Sequence, residues 1–151
     1  MYKRFIHTVA TVSIFMMTLV AVQSNALAGD KPFAEHKIVL QISDDDPKKQ
    51  TLVLNVANNL LKEYGQDKVD IEVVAFGPGL NLLFANNKNK GRVDDLAKAA
   101  DVRFTACSNT IKAVTKKLGH PPVINPIAST QYPGIVRIVD LTGKGYTLVR
   151  P

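Results

Sequence analysis

Cys107 is the single cysteine in 151 residues. It stands where the apolar run Val102-Arg103-Phe104-Thr105-Ala106 passes into Ser108-Asn109-Thr110. The run predicts a strand and the residues after it a helix, so the sulfur falls at a helix N-terminus. Unpaired backbone N–H groups and the positive end of the macrodipole favour thiolate over thiol there. A thiolate so placed is a nucleophile. The competing reading is a small buried hydrophobe, which a lone cysteine often is. The strand-to-helix position favours chemistry.

The other chemistry-bearing residues have simpler explanations. Asp44-Asp45-Asp46 offers carboxylates to a hard cation, but helix N-termini favour acids, and no second ligand set or EF-hand spacing accompanies the run, so no metal is implied. Gly77-Pro78-Gly79 allows close approach of the backbone to a ligand, and a plain turn accounts for it equally well. It matches neither a dinucleotide fingerprint nor a phosphate-binding loop. His36 and His120 are isolated in sequence; either could serve Cys107 as a base, but no local protease-like motif supports it. No serine lies in a nucleophile elbow.

The elements that must position Cys107 alternate along the chain. Lys37 to Ile42 is a nearly continuous apolar run, as in a strand buried on both faces. Asp46 as N-cap and Pro47 at the first helical position open a helix of about 17 residues, which Gly65 stops. Asp70 to Phe76 predicts a second strand, Leu80 to Ala85 a short helix or turn, and Arg92 to Ala100 another helix. After Cys107, Ser108 or Asn109 can cap a helix that ends at Gly119. Pro121, Pro122, Pro126 and Pro133 make His120 to Gly134 a long stiff loop that could cover the sheet edge carrying Cys107, with Val123-Ile124 a short strand or core plug. The alternation from Ile135 to Asp140, followed closely by Tyr146 to Val149, predicts an antiparallel hairpin. The whole reads as an α/β fold: a three-layer α/β/α sandwich with a mostly parallel sheet of about five strands and a C-terminal hairpin. Ligands in such folds gather at the carboxyl ends of the strands, where the loops 43–47, 77–79 and 107–110 meet.

Lys3 and Arg4, the apolar stretch from Phe5 to Val22 and Ala26-Leu27-Ala28 read as a signal peptide over residues 1–28, leaving a single domain over 29–151. The rival reading is an uncleaved anchor, which would bring a membrane into play. Export fits a periplasmic or secreted protein, where cysteines are normally paired, and a lone thiol there is notable. The formal charge of +6 falls to +4 without the first 28 residues, since 17 basic residues then face 13 acidic ones. Basic residues are interleaved with acids and tryptophan is absent, which argues against nucleic acid as a partner.

Four segments in order carry a resemblance. They are Asn55-Val56-Ala57-Asn58-Asn59-Leu60, Ile71 through Leu80 with Gly77-Pro78-Gly79, Val102 through Thr110, and Gly134 through Leu141 continuing to Gly145-Tyr146 and Arg150-Pro151. Together they resemble the exported branch of the DsrE-like family, over nearly all of 29–151. The resemblance implies a compact α/β domain, frequently a homo-oligomer, in a group whose intracellular members relay sulfur as a cysteine persulfide. Cys107 matches the working cysteine of those relay proteins, which also follows a central strand. Ser108-Asn109-Thr110 departs from their sequence.

The expected function is therefore a sulfur carrier that holds sulfane sulfur on Cys107, with Ser108, Asn109, Thr110, Gly77 and Gly79 lining the binding site. It would take sulfur from a sulfane-sulfur donor and pass it to a thiol acceptor, and no cofactor is implied. The alternative is a non-catalytic oligomeric binding or assembly module in which the cysteine is structural. A redox-sensing thiol is a third reading.

Overall fold

The computed structural model describes residues 31–151. The expected signal peptide lies outside the described residues. The chain forms β1 (His36–Ile42), α1 (Pro47–Tyr64), β2 (Val69–Ala75), a 3₁₀ helix (Gly77–Leu83), α2 (Lys90–Ala100), β3 (Arg103–Ala106), α3 (Ser108–Leu118), α4 (Gly134–Gly143) and β4 (Thr147–Val149). The sheet has four strands in the order β3-β2-β1-β4, and every pairing is parallel. Among the described residues no helix is long and apolar enough to cross a membrane.

Local signals set the first helix. The Asp46 carboxylate accepts the Lys48 N–H at 2.7 Å, Pro47 occupies the first turn, and Gly65 at φ 85 closes the helix on the Leu61 carbonyl. A cap of this kind satisfies donors that the helix itself cannot. Val53, Leu54 and Ala57 of α1 then pack with Leu40, Ile71, Val73 and Phe104 of the sheet and with Val93 and Leu96 of α2. Ile111 and Val114 of α3 border the same cluster. Truncating one of these buried leucines to alanine costs about 2–5 kcal/mol.

The opposite face of the sheet is covered by α4, whose Ile138 and Leu141 pack with Val39, Val74 and Tyr146. Helices on both faces make the three layers of the expected sandwich.

Two expectations are corrected. The C-terminal hairpin is absent: residues 134–143 are helical, and β4 lies parallel to β1, with Val39 opposite Leu148. The apolar positions from Ile135 to Leu141 fit two periods. Helical spacing buries Ile138 and Leu141 together, a tertiary gain that outweighs the few tenths of a kcal/mol that each β-branched residue costs in a helix. Among the described residues the sheet has four strands rather than about five. What the long loop adds is a single parallel bridge from Ser129 to Thr105, beside β3, and an antiparallel one between Ile124 and Phe84.

β2 is buried along its whole length. Its alternation sends Ile71 and Val73 into the larger core, and Asp70 and Glu72 toward α4. Both carboxylates are 1% exposed and are met by arginines from β3 and α4. Arg103 reaches Asp70 at 2.9 Å and Glu72 at 3.4 Å, and Arg137 grips Glu72 with two bonds of 2.7 Å. Thr105 donates to Glu72 at 2.7 Å, and Arg103 donates to the Tyr146 hydroxyl at 2.7 Å.

Candidate functional site

Cys107 directly follows β3 at the carboxyl end of the sheet. Its N–H continues the strand pairing by donating to the Ala75 carbonyl at 3.0 Å. The expected cap residues, Ser108 and Asn109, are already the first residues of α3; Cys107 itself is the N-cap, with φ −58 and ψ 116. One residue of difference places the sulfur, rather than a hydroxyl or an amide, at the helix entrance.

The segment after the Pro-rich stretch closes over this position, as its sequence suggested. Ser129 accepts from the Ala106 N–H and donates to the Phe104 carbonyl, both at 2.8 Å, and the Tyr132 carbonyl accepts the Ser108 N–H at 3.0 Å. The chain then turns at Pro133 into α4, and the N–H of Gly134, the first residue of that helix, donates to Sγ of Cys107 at 3.1 Å. The sulfur therefore lies at the N-termini of two helices, α3 and α4, and Cys107 is only 5% exposed.

Opposing influences act on the thiol. Burial pushes its pKa up, while the Thr110 hydroxyl, the Gly134 N–H and the backbone N–H groups of Thr110 and Asn109 stabilise the anion, so that it lies below the ordinary value. This is the physical pattern of an activated cysteine: donors and helix dipoles aimed at sulfur in a partly desolvated site.

Gly77, Thr110 and Cys107 are brought together as a relay. The Gly77 N–H donates to Oγ1 of Thr110 at 3.0 Å, which orients that hydroxyl toward the sulfur. Gly77 itself sits at φ +53, a left-handed conformation that glycine adopts without penalty. Asn109 contributes its backbone. Ser108 is held through its N–H by Tyr132, and no contact joins its side chain to the sulfur. Gly79 serves the scaffold instead, since a Cβ there would lie 2.4 Å from the Ile42 carbonyl oxygen; it lets the 3₁₀ turn press against the end of β1.

The remaining candidates have structural roles. Asp44 pairs with Lys49 at 3.1 Å, Asp45 accepts from Asn81 at 2.6 Å, and Asp46 caps α1. His36 begins β1, at the amino end of the sheet, and stacks on Tyr64 with ring centroids 3.9 Å apart. His120 follows the far end of α3, a helix of 11 residues and so about 16 Å long. Neither histidine stands at the mouth of the strands with Cys107.

Gly134, which meets the sulfur, Tyr132, which holds the head of α3, and Arg137 and Glu72, which tie α4 to β2, were not singled out in the sequence as site residues. A signal existed in part: Asp70, Glu72 and Arg103 are charges inside runs that read as buried strands, and such charges need partners.

The fold and site together define a parallel α/β domain with a buried cysteine after β3, which is an edge strand of the sheet and not the central strand that the resemblance implied. Among solved structures the chain is similar to MTH1491, a protein of unknown function from Methanobacterium thermoautotrophicum. The two are 30% identical with a TM-score of 0.69, and the match covers 77% of this chain and 99% of that one. The chain belongs to the same protein family. No family model matches the sequence, and no curated protein does.

Proposed function

We propose that this protein is a sulfur carrier that holds sulfane sulfur as a persulfide on Cys107. The observation that carries the reading is the Gly134 N–H aimed at Sγ over 3.1 Å, opposite the first turn of α3, because a cradle of donors stabilises a thiolate and a persulfide anion alike. The sequence resemblance to the exported branch of the DsrE-like family supports the same chemistry, and the N-terminal pattern supports a periplasmic or secreted setting.

The steps balance without an outside oxidant. The Cys107 thiolate attacks the sulfane sulfur of a polysulfide or thiosulfate; a new S–S bond forms, the donor's S–S bond breaks, and the donor leaves as a shorter polysulfide or as sulfite. An acceptor thiolate then attacks the outer sulfur, takes it as its own persulfide, and returns Cys107 as thiolate. One cysteine suffices. Because Cys107 is almost fully buried, donor and acceptor reach it when the segment from Tyr132 to Gly134 yields.

Intact mass of the protein after incubation with polysulfide tests this. The expected result is a gain of about 32 Da per added sulfur, reversed by a reductant and absent from Cys107→Ala. A folded protein that gains no mass, and whose thiol resists alkylation until it unfolds, overturns the carrier reading.

The second reading, an oligomeric binding or assembly module, draws on a different feature. Ile135, Val136 and Val139 of α4 are more than half exposed, and Leu148 is 45% exposed. Leu148 lies opposite Val39, on the face that α4 covers. An apolar patch of this kind suits a second copy of the chain. Sedimentation of the protein beside Val139→Asp tests it: an assembly that the substitution dissociates supports a homo-oligomer, and a monomer at all concentrations rules it out.

A further inference from the structure

We infer that Arg137 is a positioning residue for the Cys107 sulfur, acting through its double hydrogen bond to Glu72. The inference rests on Cys107 being the functional thiol. It follows from the contacts that one guanidinium makes with Glu72 and Tyr132.

Arg137 lies three residues after Gly134, in the first turn of α4, and its own N–H makes that turn by donating to the Pro133 carbonyl at 2.9 Å. Its side chain crosses to Glu72 in the central strand, with Nε and Nη2 each 2.7 Å from a carboxylate oxygen. A bidentate pair fixes angle as well as distance. The first turn of α4, and with it the Gly134 N–H, is thereby held to the same strand whose last carbonyl, Ala75, receives the Cys107 N–H.

The guanidinium also lies 4.8 Å from the centroid of the Tyr132 ring. Tyr132 in turn accepts the Ser108 N–H at the head of α3. One side chain thus fastens both helix entrances that face the sulfur: α4 directly, α3 through Tyr132. The groups that meet the sulfur from these elements, Thr110 and Asn109 on α3 and Gly134 on α4, carry no titratable proton. The charged groups that join α4 to β2 and β3 behind them include Arg137, Glu72, Arg103 and Asp70.

The test reads the ionisation of Cys107 by the ultraviolet absorbance of its thiolate across pH, in wild type, Arg137→Gln, Arg137→Lys and Tyr146→Phe. Arg137→Gln leaves Glu72 with Arg103 at 3.4 Å and the Thr105 hydroxyl at 2.7 Å as partners, which favours a folded variant. Its thiolate midpoint is expected to rise by about one pH unit, as for one weakened charge-assisted hydrogen bond. Arg137→Lys keeps the charge without the fork, and its midpoint falls between the two. Tyr146→Phe loosens the neighbouring Asp70–Arg103 contacts without touching α4's first turn, so it lowers stability and leaves the midpoint in place.

A folded Arg137→Gln, or failing that Arg137→Lys, with the wild-type midpoint overturns the inference. So does a shift of equal size in Tyr146→Phe. Persulfide loading of the wild type is measured alongside. Loading with an unchanged variant midpoint removes only the positioning role; a shifted midpoint without loading removes only the carrier reading.

Discussion

The N–H of Gly134 donates to Sγ of Cys107 over 3.1 Å, and the same glycine leaves no room there for a side chain. A Cβ at 134 would stand 3.1 Å from the Cβ atoms of both Cys107 and Phe76, and 3.4 Å from the sulfur. Both Cβ atoms are fixed by their backbones and cannot rotate away. Alanine in place of a helical glycine gains at most about 1 kcal/mol, whereas overpacking costs about 1–3 kcal/mol. Gly134→Ala is expected to lower stability by about 1 kcal/mol, read from urea unfolding, and to slow persulfide loading because the donor is pushed off the sulfur. A variant as stable as wild type, with unchanged loading, would show that the contact tolerates a methyl group.

Gly79→Ala tests a tighter fit with a different consequence. The added Cβ meets backbone alone: 2.4 Å to the Ile42 oxygen, 2.7 Å to its carbonyl carbon and 2.8 Å to Cα of Ser43. No rotamer relieves it, so the end of β1 must move. A loss of about 3 kcal/mol or more is expected, with the thermal midpoint as the measure. Gly79 then acts through the scaffold. A variant that keeps its stability and loses sulfur loading would return Gly79 to the binding site.

Local signals made much of this legible in the sequence. Asp46, Pro47 and Gly65 bound α1 by capping and steric rules that need no tertiary information, and continuous apolar runs mark β1 to β3. The position of Cys107 followed from the join between such a run and a helix, and Gly77 and Thr110 from the loops at the same end of the sheet. Gly134 to Gly143 is a helix where the sequence pattern predicts a strand, because a helix apolar on several sides looks like a strand when the period is counted over six residues. A strand there conceals Gly134 as a sulfur partner, since its donor points at Cys107 only if a helix begins there. Arg137 and Glu72 lie 65 residues apart; their pairing is a product of how α4 packs across the sheet, which no local pattern encodes.

The depressed thiol of Cys107 ties stability to pH in a definite direction. Its folded value lies below the unfolded one, as hydrogen bonds from Thr110, Gly134 and Asn109 outweigh the opposing effect of burial. The stabilisation is therefore fully present above the unfolded value, near pH 8.5 to 9, and is lost as pH falls through the folded value. The stability of wild type relative to Cys107→Ser should accordingly rise with pH and level off by about pH 9 in urea titrations. A difference that stays flat, or shrinks as pH rises, would show that the cradle does not favour the anion.

Tyr146 gives the opposite dependence on the far side of the same network. Burial and its hydrogen bond to Asp70 push the phenol up to about 12 from 10.0, against the lowering effect of Arg103. Here the neutral form is the one the fold prefers, so the stabilisation is present below the unfolded value and disappears as pH climbs through the folded one. Stability should fall between about pH 10 and about pH 12, and Tyr146→Phe, which has no proton to lose, should remove Tyr146's part of that decline. Comparing urea midpoints of the two proteins across this range isolates the contribution of the phenol. If both proteins decline in parallel, Tyr146 ionises as freely in the folded chain as in the unfolded one.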